Sequence, residues 1–419
     1  TWPIERYLNS ESKEKCDKLI RAIKDGQISV DASYVHINTC SANDEELFEL
    51  FSFGKKMEKL TGKRVQTMVQ VDIPGLSWGI VPVASQLEIP YCLSFFNGSA
   101  RVGLSYEINF KPFWWESPDG KSKILFLQPG AYNYGAIVKG YMFWPKMVGQ
   151  LDPDKIRRTV KTDNPREQFI DSYLDEMLPM LEKADYYPYD IFPMTWSMSD
   201  NAPIDCDLPE AVKSWNEEFA YPHLKICTAT EIMSTFDHKY GDQIPTLRGD
   251  FTEFWIDGLG TKAEFSGRHR EVKENLVQTE TLWSMLRPNQ PTPRTDFEEA
   301  WRNTLLGTEH TWTYMEPKQQ PISDLIMNGK LDYFRNADKM QKELFAYTIA
   351  DITEDSETIS LFNTSSWTRS EVVRLSQDIS KNYTSVIDAE TNKPVPSQRL
   401  STDELIFCCL LYTSPSPRD

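Results

Sequence analysis

At 419 residues with a formal net charge of −17, the chain exceeds one ordinary domain, about two to three being expected for that length. Its acidic balance argues against nucleic acid or an anionic lipid surface as partner. Hydrophobic residues make up 40% of it, enough for a globular core, yet no uninterrupted apolar run reaches the about 18 residues of a membrane span.

Seven cysteines (Cys16, Cys40, Cys92, Cys206, Cys227, Cys408, Cys409) are scattered, odd in number and never spaced C-x-x-C. Neither a disulfide framework nor a thiolate zinc site is indicated. The chain opens at TWPIERYL, without an initiator Met or a basic-then-apolar leader, which reads as a start inside a domain. Periplasmic, secreted and cytoplasmic residence all stay open, and the N-x-S/T triplets at Asn97, Asn363 and Asn382 decide nothing.

In chain order, Leu19, Ile20 and Ile23 recur at helical spacing, with Gly26 as a stop. Residues 28–38 alternate like a strand. Ser41 or Asn43 caps a helix carrying Leu47, Phe48, Phe51 and Leu60, closed by Gly62. Then Val65, Thr67, Val69 and Val71 alternate with Gln66, Met68 and Gln70, a β-strand pattern. The strand runs into Asp72, and Pro74 with Gly75 ends it in a turn. A carboxylate at the C-terminal end of a strand is where α/β folds put their chemistry; the competing role is a turn cap.

A helix over 81–87, a strand over 91–95 and a buried strand over 124–128 follow. Trp114, Trp115, Tyr132, Tyr134, Tyr141 and Trp144 lie in the connections, where aromatics either line a site or pack beneath a loop. An amphipathic helix over 168–183 leads to a strand over 191–196 and the loop SMSDNAPIDCDLP. Helix 208–220, strand 224–227 and helix 230–240 repeat the unit. Helices alternating with strands imply βαβ units and a parallel sheet.

From Gly249 the character changes. GDFTEFWIDG leads into a long helix ending before Pro288, and Thr295 with Glu298 forms a capping box for a second helix. A third, over 323–351, places Leu325, Phe334, Leu344, Phe345 and Ile349 inward, so the three read as a bundle. After Thr353 the period drops to two in TISLFNTS, SEVVRLS and TSVIDAE, with NKP as a turn. The predicted domains are 1–250 (α/β), 251–352 (three helices) and 353–407 (antiparallel β). Residues 408–419 abandon the pattern; LLYTSPSPRD resembles translated sequencing-adapter read-through, and this tail reads as non-native.

The run VQVDIPGLSWGIVPVASQLEIPYCLSF resembles the nucleophile strand of glycoside hydrolase family 38, the α-mannosidase family. It is most similar to a divergent bacterial branch with Gln-x-Asp-x-Pro-Gly-x-x-Trp-Gly-x-x-Pro here. Better-known members carry Gln-Ile-Asp-Pro-Phe-Gly-His-Ser. This chain keeps Gln70 and Asp72 and replaces Phe-Gly-His-Ser with a Pro-Gly turn, a change that touches specificity more than the nucleophile. The resemblance spans Trp2 to about Phe407. It implies a parallel (β/α) barrel-like catalytic domain lacking its first strand, a three-helix bundle and the start of an antiparallel β-sandwich.

The implied activity is retaining, zinc-type, α-mannosidase-like hydrolysis of terminal glycosidic bonds, with carbohydrate as partner. Asp72 would be the nucleophile and a zinc ligand. Asp200, in SMSDNAPID, would be the general acid/base; Met198 and Ile204 depart from the branch's Gly and Pro, Asp205 and Asp207 compete, and an Asx turn is the bland role. His310, in GTEHTWTYM, would be the last zinc ligand, or a helix-dipole partner. Trp78, Asp205, Asp250, Trp255 and Asp257 would face the substrate, the alternative for Asp250, Trp255 and Asp257 being a solvated acidic entry to a helix.

None of the five histidines lies in an H-x-x-x-H or H-E-x-x-H pattern, so zinc would need ligands from distant segments. The family's His-x-Asp pair on the first barrel strand has one near match, His36-Ile37-Asn38, with Asn in place of the carboxylate and assigned here to a different strand. Zinc is therefore expected in the intact protein and weakly or not at all in this fragment, which is expected to be inactive. Two alternatives stand: a degenerate member that binds carbohydrate without turnover, and a polysaccharide deacetylase-like metalloenzyme, which needs a local Asp and His pair.

Overall fold

The structure, a computed structural model, describes residues 1–95, 108, 110–129, 178–194, 208–251, 254–311, 321–350, 352 and 357–411. The chain divides into two compact units. One holds Thr1–Arg270 with Trp301–Asn336, the other Glu271–Ala300 with Ala337–Asp419.

The first unit opens with α1 (Trp2–Ser10) and α2 (Lys13–Lys24). Helix α3 (Asp44–Thr61) starts where the Asn43 side chain accepts the Glu46 N–H at 2.9 Å, and stops at left-handed Gly62, as its sequence signals predict. Strand β1 (Thr67–Val71), α4 (Ile80–Gln86), β2 (Tyr91–Phe95), β3 (Phe113–Glu116) and β4 (Lys123–Leu127) follow. Then come α5 (Leu178–Glu182), α6 (Leu208–Glu218), α7 (Ala229–Tyr240) and β5 (Thr246–Leu247). The sheet order is β1-β2-β4-β3-β5. Strand β2 runs parallel to β1 and β4, β3 is antiparallel to β4, and β5 is parallel to β3. The fold is mixed α/β around a parallel sheet.

Both faces of that sheet are covered, as parallel sheets require. Met68, Cys92, Ile124 and Phe126 join one core with α3 and α4. Tyr91, Leu93, Phe95, Leu125 and Leu127 turn the other way and pack with Met233 and Phe236 of α7. The period of two that marks a strand is thus spent on two separate cores.

Several predicted strands are absent. Residues 28–38 run beside the outer edge of β1 but form no named strand, because side chains replace the ladder. Ala32 N–H reaches Thr67 O at 2.9 Å, after which the Gln70 amide takes Val35 O and Ile37 N–H. This also corrects the assignment of His36-Ile37-Asn38 to a remote strand. Leu224 has its N–H and C=O both bound by the Asn216 amide, at 2.9 and 2.7 Å, so 224–227 is not a strand. Residues 191–194 are irregular too, with Ile191 O taken by the Tyr187 hydroxyl.

Trp114 and Trp115, expected in a connection, lie on β3 instead. Tyr132, Tyr134, Tyr141, Trp144 and most of the helix expected over 168–183 lie outside the described residues.

Helices α8 (Ala263–Leu286), α9 (Arg294–Gly307) and α10 (Ile322–Ile349) occupy the positions their periodicity predicts. Helix α9 begins two residues early, with Pro293 O receiving the Asp296 and Phe297 N–H groups. Thr295 is therefore inside the first turn and not its cap. Along α10, Leu325 and Phe345 are exposed, at 74% and 40%, while Leu331, Phe334 and Leu344 are buried.

In the second unit, β6 (Arg369–Leu375), α11 (Gln377–Ser380), β7 (Val386–Ile387), β8 (Pro394–Val395), β9 (Ser397–Arg399) and β10 (Leu405–Leu411) appear. Strand β10 pairs antiparallel with β6 and β9. Its register continues to Leu411 opposite Arg369, past the boundary expected at 407. The NKP turn joins β7 to β8 with Asn392 at φ 55°. Of the three alternating segments, TISLFNTS forms no strand.

Candidate functional site

Strand β1 delivers Asp72 to the carboxyl end of the parallel sheet, where open α/β folds leave a crevice. Its N–H still pairs with Phe95 O at 2.9 Å, but its φ is 63°. That left-handed turn, tolerable for Asp, breaks the extended backbone at Asp72, ahead of Pro74.

The segment after α9 comes back to this point. Glu309 bridges Ile37 antiparallel, and His310 N–H donates to His36 O at 2.8 Å. The His310 ring then lies between two carboxylates, with Nε2 3.3 Å from Asp72 Oδ2 and Nδ1 2.5 Å from Glu309 Oε1. Glu309 Oε2 continues to Lys330 Nζ on α10 at 2.6 Å. Cation and anion alternate along this row, Lys330, Glu309, His310, Asp72. Trp255 lies parallel to the His310 ring, at 11° and 6.3 Å between centroids. His36 stands edge-on to it at 6.0 Å, and its Nδ1 accepts the Val71 N–H at 3.2 Å.

The electrostatics follow from burial set against pairing. Burial would lower the His310 pKa, but pairing with the Asp72 and Glu309 carboxylates outweighs it and raises it to about 9. Burial would raise that of Glu309, and contact with His310 and Lys330 holds it far below the usual carboxylate range. Burial lowers that of Lys330 against the pull of Glu309. His36 is lowered to about 4, by burial first and by neighbouring His310 second. The site therefore keeps a charged His310 beside an uncharged His36.

Trp78 and Asp250, both expected to face substrate, are also tied to each other. The Trp78 N–H donates to Asp250 Oδ1 at 3.0 Å, and the indole N–H donates to Glu116 O at 2.7 Å. With Leu76 bridged to Phe251, they fix the turn that follows Asp72. Asp200, Asp205 and Asp207 lie outside the described residues, as does the side chain of Asp257. Glu309 and Lys330 were not singled out from the sequence. The Glu-His dipeptide was visible, but only the bridge to Ile37 turns both side chains to one place.

A zinc ion with bonds of about 2.0–2.1 Å sets neighbouring donors about 3.4 Å apart, and the Asp72–His310 spacing matches that edge. The rest of a shell does not fit. His36 has spent Nδ1 on the backbone, and Asn38, which stands where a carboxylate is needed, donates its amide to His310 O at 3.4 Å. Its Oδ1 is buried without a hydrogen bond. Among the described residues, no three His, Cys, Asp or Glu side chains converge to hold a metal.

No protein-family model matches the chain, and no curated protein does. Solved structures do match. The chain aligns over 99% of its length with an alpha-mannosidase from Enterococcus faecalis V583, at 16% identity and a TM-score of 0.65, covering 49% of that chain. It aligns over 99% with a protein in the glycosyl hydrolase family 38 from Enterococcus faecalis, at 17% identity and a TM-score of 0.61, covering 47% of that chain. The chain thus spans about half the length of the solved structures it matches. It shares the fold of these two solved structures, one of them named for the family that the Gln70-Val71-Asp72 strand resembles.

Proposed function

We propose that the complete protein is a glycoside hydrolase acting on terminal sugars, with α-mannosidase-like, retaining chemistry. The observation that carries this reading is Asp72 itself: at the end of β1, with a positive φ and its carboxylate facing His310, in a fold shared with family 38 structures. Retention needs two carboxyl groups about 5–5.5 Å apart. Asp72, whose carboxylate lies 3.3 Å from His310 Nε2, is suited to attack the anomeric carbon and form a glycosyl ester. Asp200 is the proposed acid that protonates the leaving oxygen and then activates water.

A barrel-like closure of the sheet, bundling of α8 to α10 and a β-sandwich at the C-terminal end belong to the same proposal. So does zinc in the intact protein, where Asp72 and His310 would be two of its ligands and it would orient sugar hydroxyls. No step is routed through it here, because the described residues do not complete its shell.

The test is turnover of an aryl α-mannoside by the full-length protein. Asp72→Asn is expected to abolish hydrolysis of every substrate. Asp200→Asn is expected to spare the first step for substrates with good leaving groups, which need no protonation. Near-normal turnover by Asp72→Asn would refute the assignment. Asn38 favours one second reading, a family member that binds sugar without cleaving it; sugar binding with no turnover by the wild-type protein would establish it.

A further inference from the structure

We propose that Glu46, through Thr308, is a positioning residue of the Asp72 centre: it sets the register in which Glu309 and His310 return to the segment that carries His36. The inference rests on Asp72 and His310 being the working pair.

The return has little support of its own. Among the described residues, Ile37 and Glu309 form an isolated antiparallel bridge, and the His310 N–H donates to His36 O at 2.8 Å. A bridge with no ladder around it does not fix its register, and a slip of one residue reverses which side chains share a face. Such a slip would set Glu309 or Thr311 opposite His36, where the His310 ring now stands 6.0 Å away. It would also turn that ring from Asp72. A contact outside the bridge has to keep the two segments in step.

Glu46 supplies it from α3. It stands three residues after the Asn43 cap, the place from which a glutamate ordinarily bonds its own cap. Here its Oε1 accepts the Thr308 hydroxyl at 3.2 Å, where the chain leaves α9. The contact closes a ring. From Ile37 the chain enters α3 through a tight turn, with the Ser41 and Ala42 N–H groups on Asn38 O and Thr39 O, which holds that stretch short. From Thr308 the next two residues are Glu309 and His310. Tying Thr308 to Glu46 therefore limits how far either segment can slide along the other. A hydrogen bond between residues 0% and 1% exposed is costly to leave unmade. The same burial keeps both from touching a substrate, so neither is catalytic.

The competing explanation is that Thr308 only bonds back into its own helix, since its hydroxyl also lies 3.1 Å from Thr304 O. Amide hydrogen exchange followed by NMR separates the two. The chain labelled with 15N-histidine has only five histidines, and His310→Asn assigns the amide bonded to His36 O. Glu46→Leu and Thr308→Val keep a side chain of similar size and lose the bond. Each is expected to speed exchange at His310 by about 5–10-fold, the net worth of one hydrogen bond. Glu46→Gln and Thr308→Ser, which keep the acceptor and the donor, should hold the wild-type rate. The double variant Glu46→Leu with Thr308→Val should lose no more than either single, as partners in one contact do. His238 on α7 and His269 on α8 are expected to keep their rates throughout.

An unchanged His310 rate in Glu46→Leu overturns the proposal, because the bond to Thr304 O then suffices. So does equal acceleration at His238, His269 and His310, the mark of general loosening, and so do additive losses in the double variant. Should Glu46→Leu fail to fold, Glu46→Asp decides by itself: it keeps the carboxyl, withdraws it from Thr308 by one methylene, and is expected to speed His310 exchange alone. In the full-length protein Glu46→Asp is expected to lower kcat by about 10–100-fold with little change in KM, the scale of a small misplacement of working groups. An unchanged kcat in a protein that does turn over also overturns the proposal. If that protein cleaves no glycoside, the functional reading fails while the exchange rates still decide this one.

Discussion

At Asp72 the backbone and the side chain make separate demands. The carboxylate is held by His310, and the φ of 63° is a conformation most residues resist by about 1–2 kcal/mol. Comparing Asp72→Ala with Asp72→Gly isolates the second, since both remove the carboxylate. Urea titration is expected to find the Gly variant more stable by about 1 kcal/mol, and equal midpoints would mean the turn relaxes. Cys92 makes the opposite point, of a reactive group silenced by its surroundings. It is fully buried on β2, and burial pushes its thiol far up. Alkylation of the native chain at mild alkaline pH should label exposed Cys408 and leave Cys92 unmodified until denaturant is added. Prompt labelling of Cys92 would place it at the surface.

Among the elements, α3 matters most to the site, because it presses on the segment that carries His36. A Cβ on Gly54 would stand 2.7 Å from Ala32 O, too close for any carbon, and the obstacle is backbone, which cannot swing away. Ala32 N–H is also tied to Thr67 O of β1, so displacement would pass from α3 to the edge of the site. Gly54→Ala is expected to cost about 1–3 kcal/mol by overpacking, against the usual gain for this change in a helix. It should also shift the NMR signal of His36, which a purely local clash would leave alone. Thermal unfolding measures the first and the ring signal the second.

For the molecule as a whole, the sharpest expectation concerns metal. Two donors, Asp72 and His310, are spaced for zinc, and His36 and Asn38 do not extend the set. Dialysed chain should hold well under one zinc per molecule, and added zinc should raise the melting temperature little, since stabilisation by a ligand grows only as its concentration exceeds Kd. One tightly held zinc per chain by metal analysis would show that the ligands are misassigned.

What the sequence determined by itself is local. The alternation of Val65 to Val71, the Pro74 stop, the Asn43 cap and the Gly62 end each follow from backbone preferences acting over a few residues, and each stands as its pattern implied. The Gln70-Val71-Asp72 strand was likewise enough to point to the family whose solved structures share the fold. The tertiary structure decided what lies far apart in the chain. Whether residues 28–38 and 224–227 become strands depended on which side chains, Gln70 and Asn216, reached their backbone groups first. That the Trp78 N–H meets the Asp250 carboxylate depended on a contact across 172 positions. The row from Lys330 to Asp72 is assembled from three separate segments, and no period in the sequence records a contact between residues that only the fold makes neighbours.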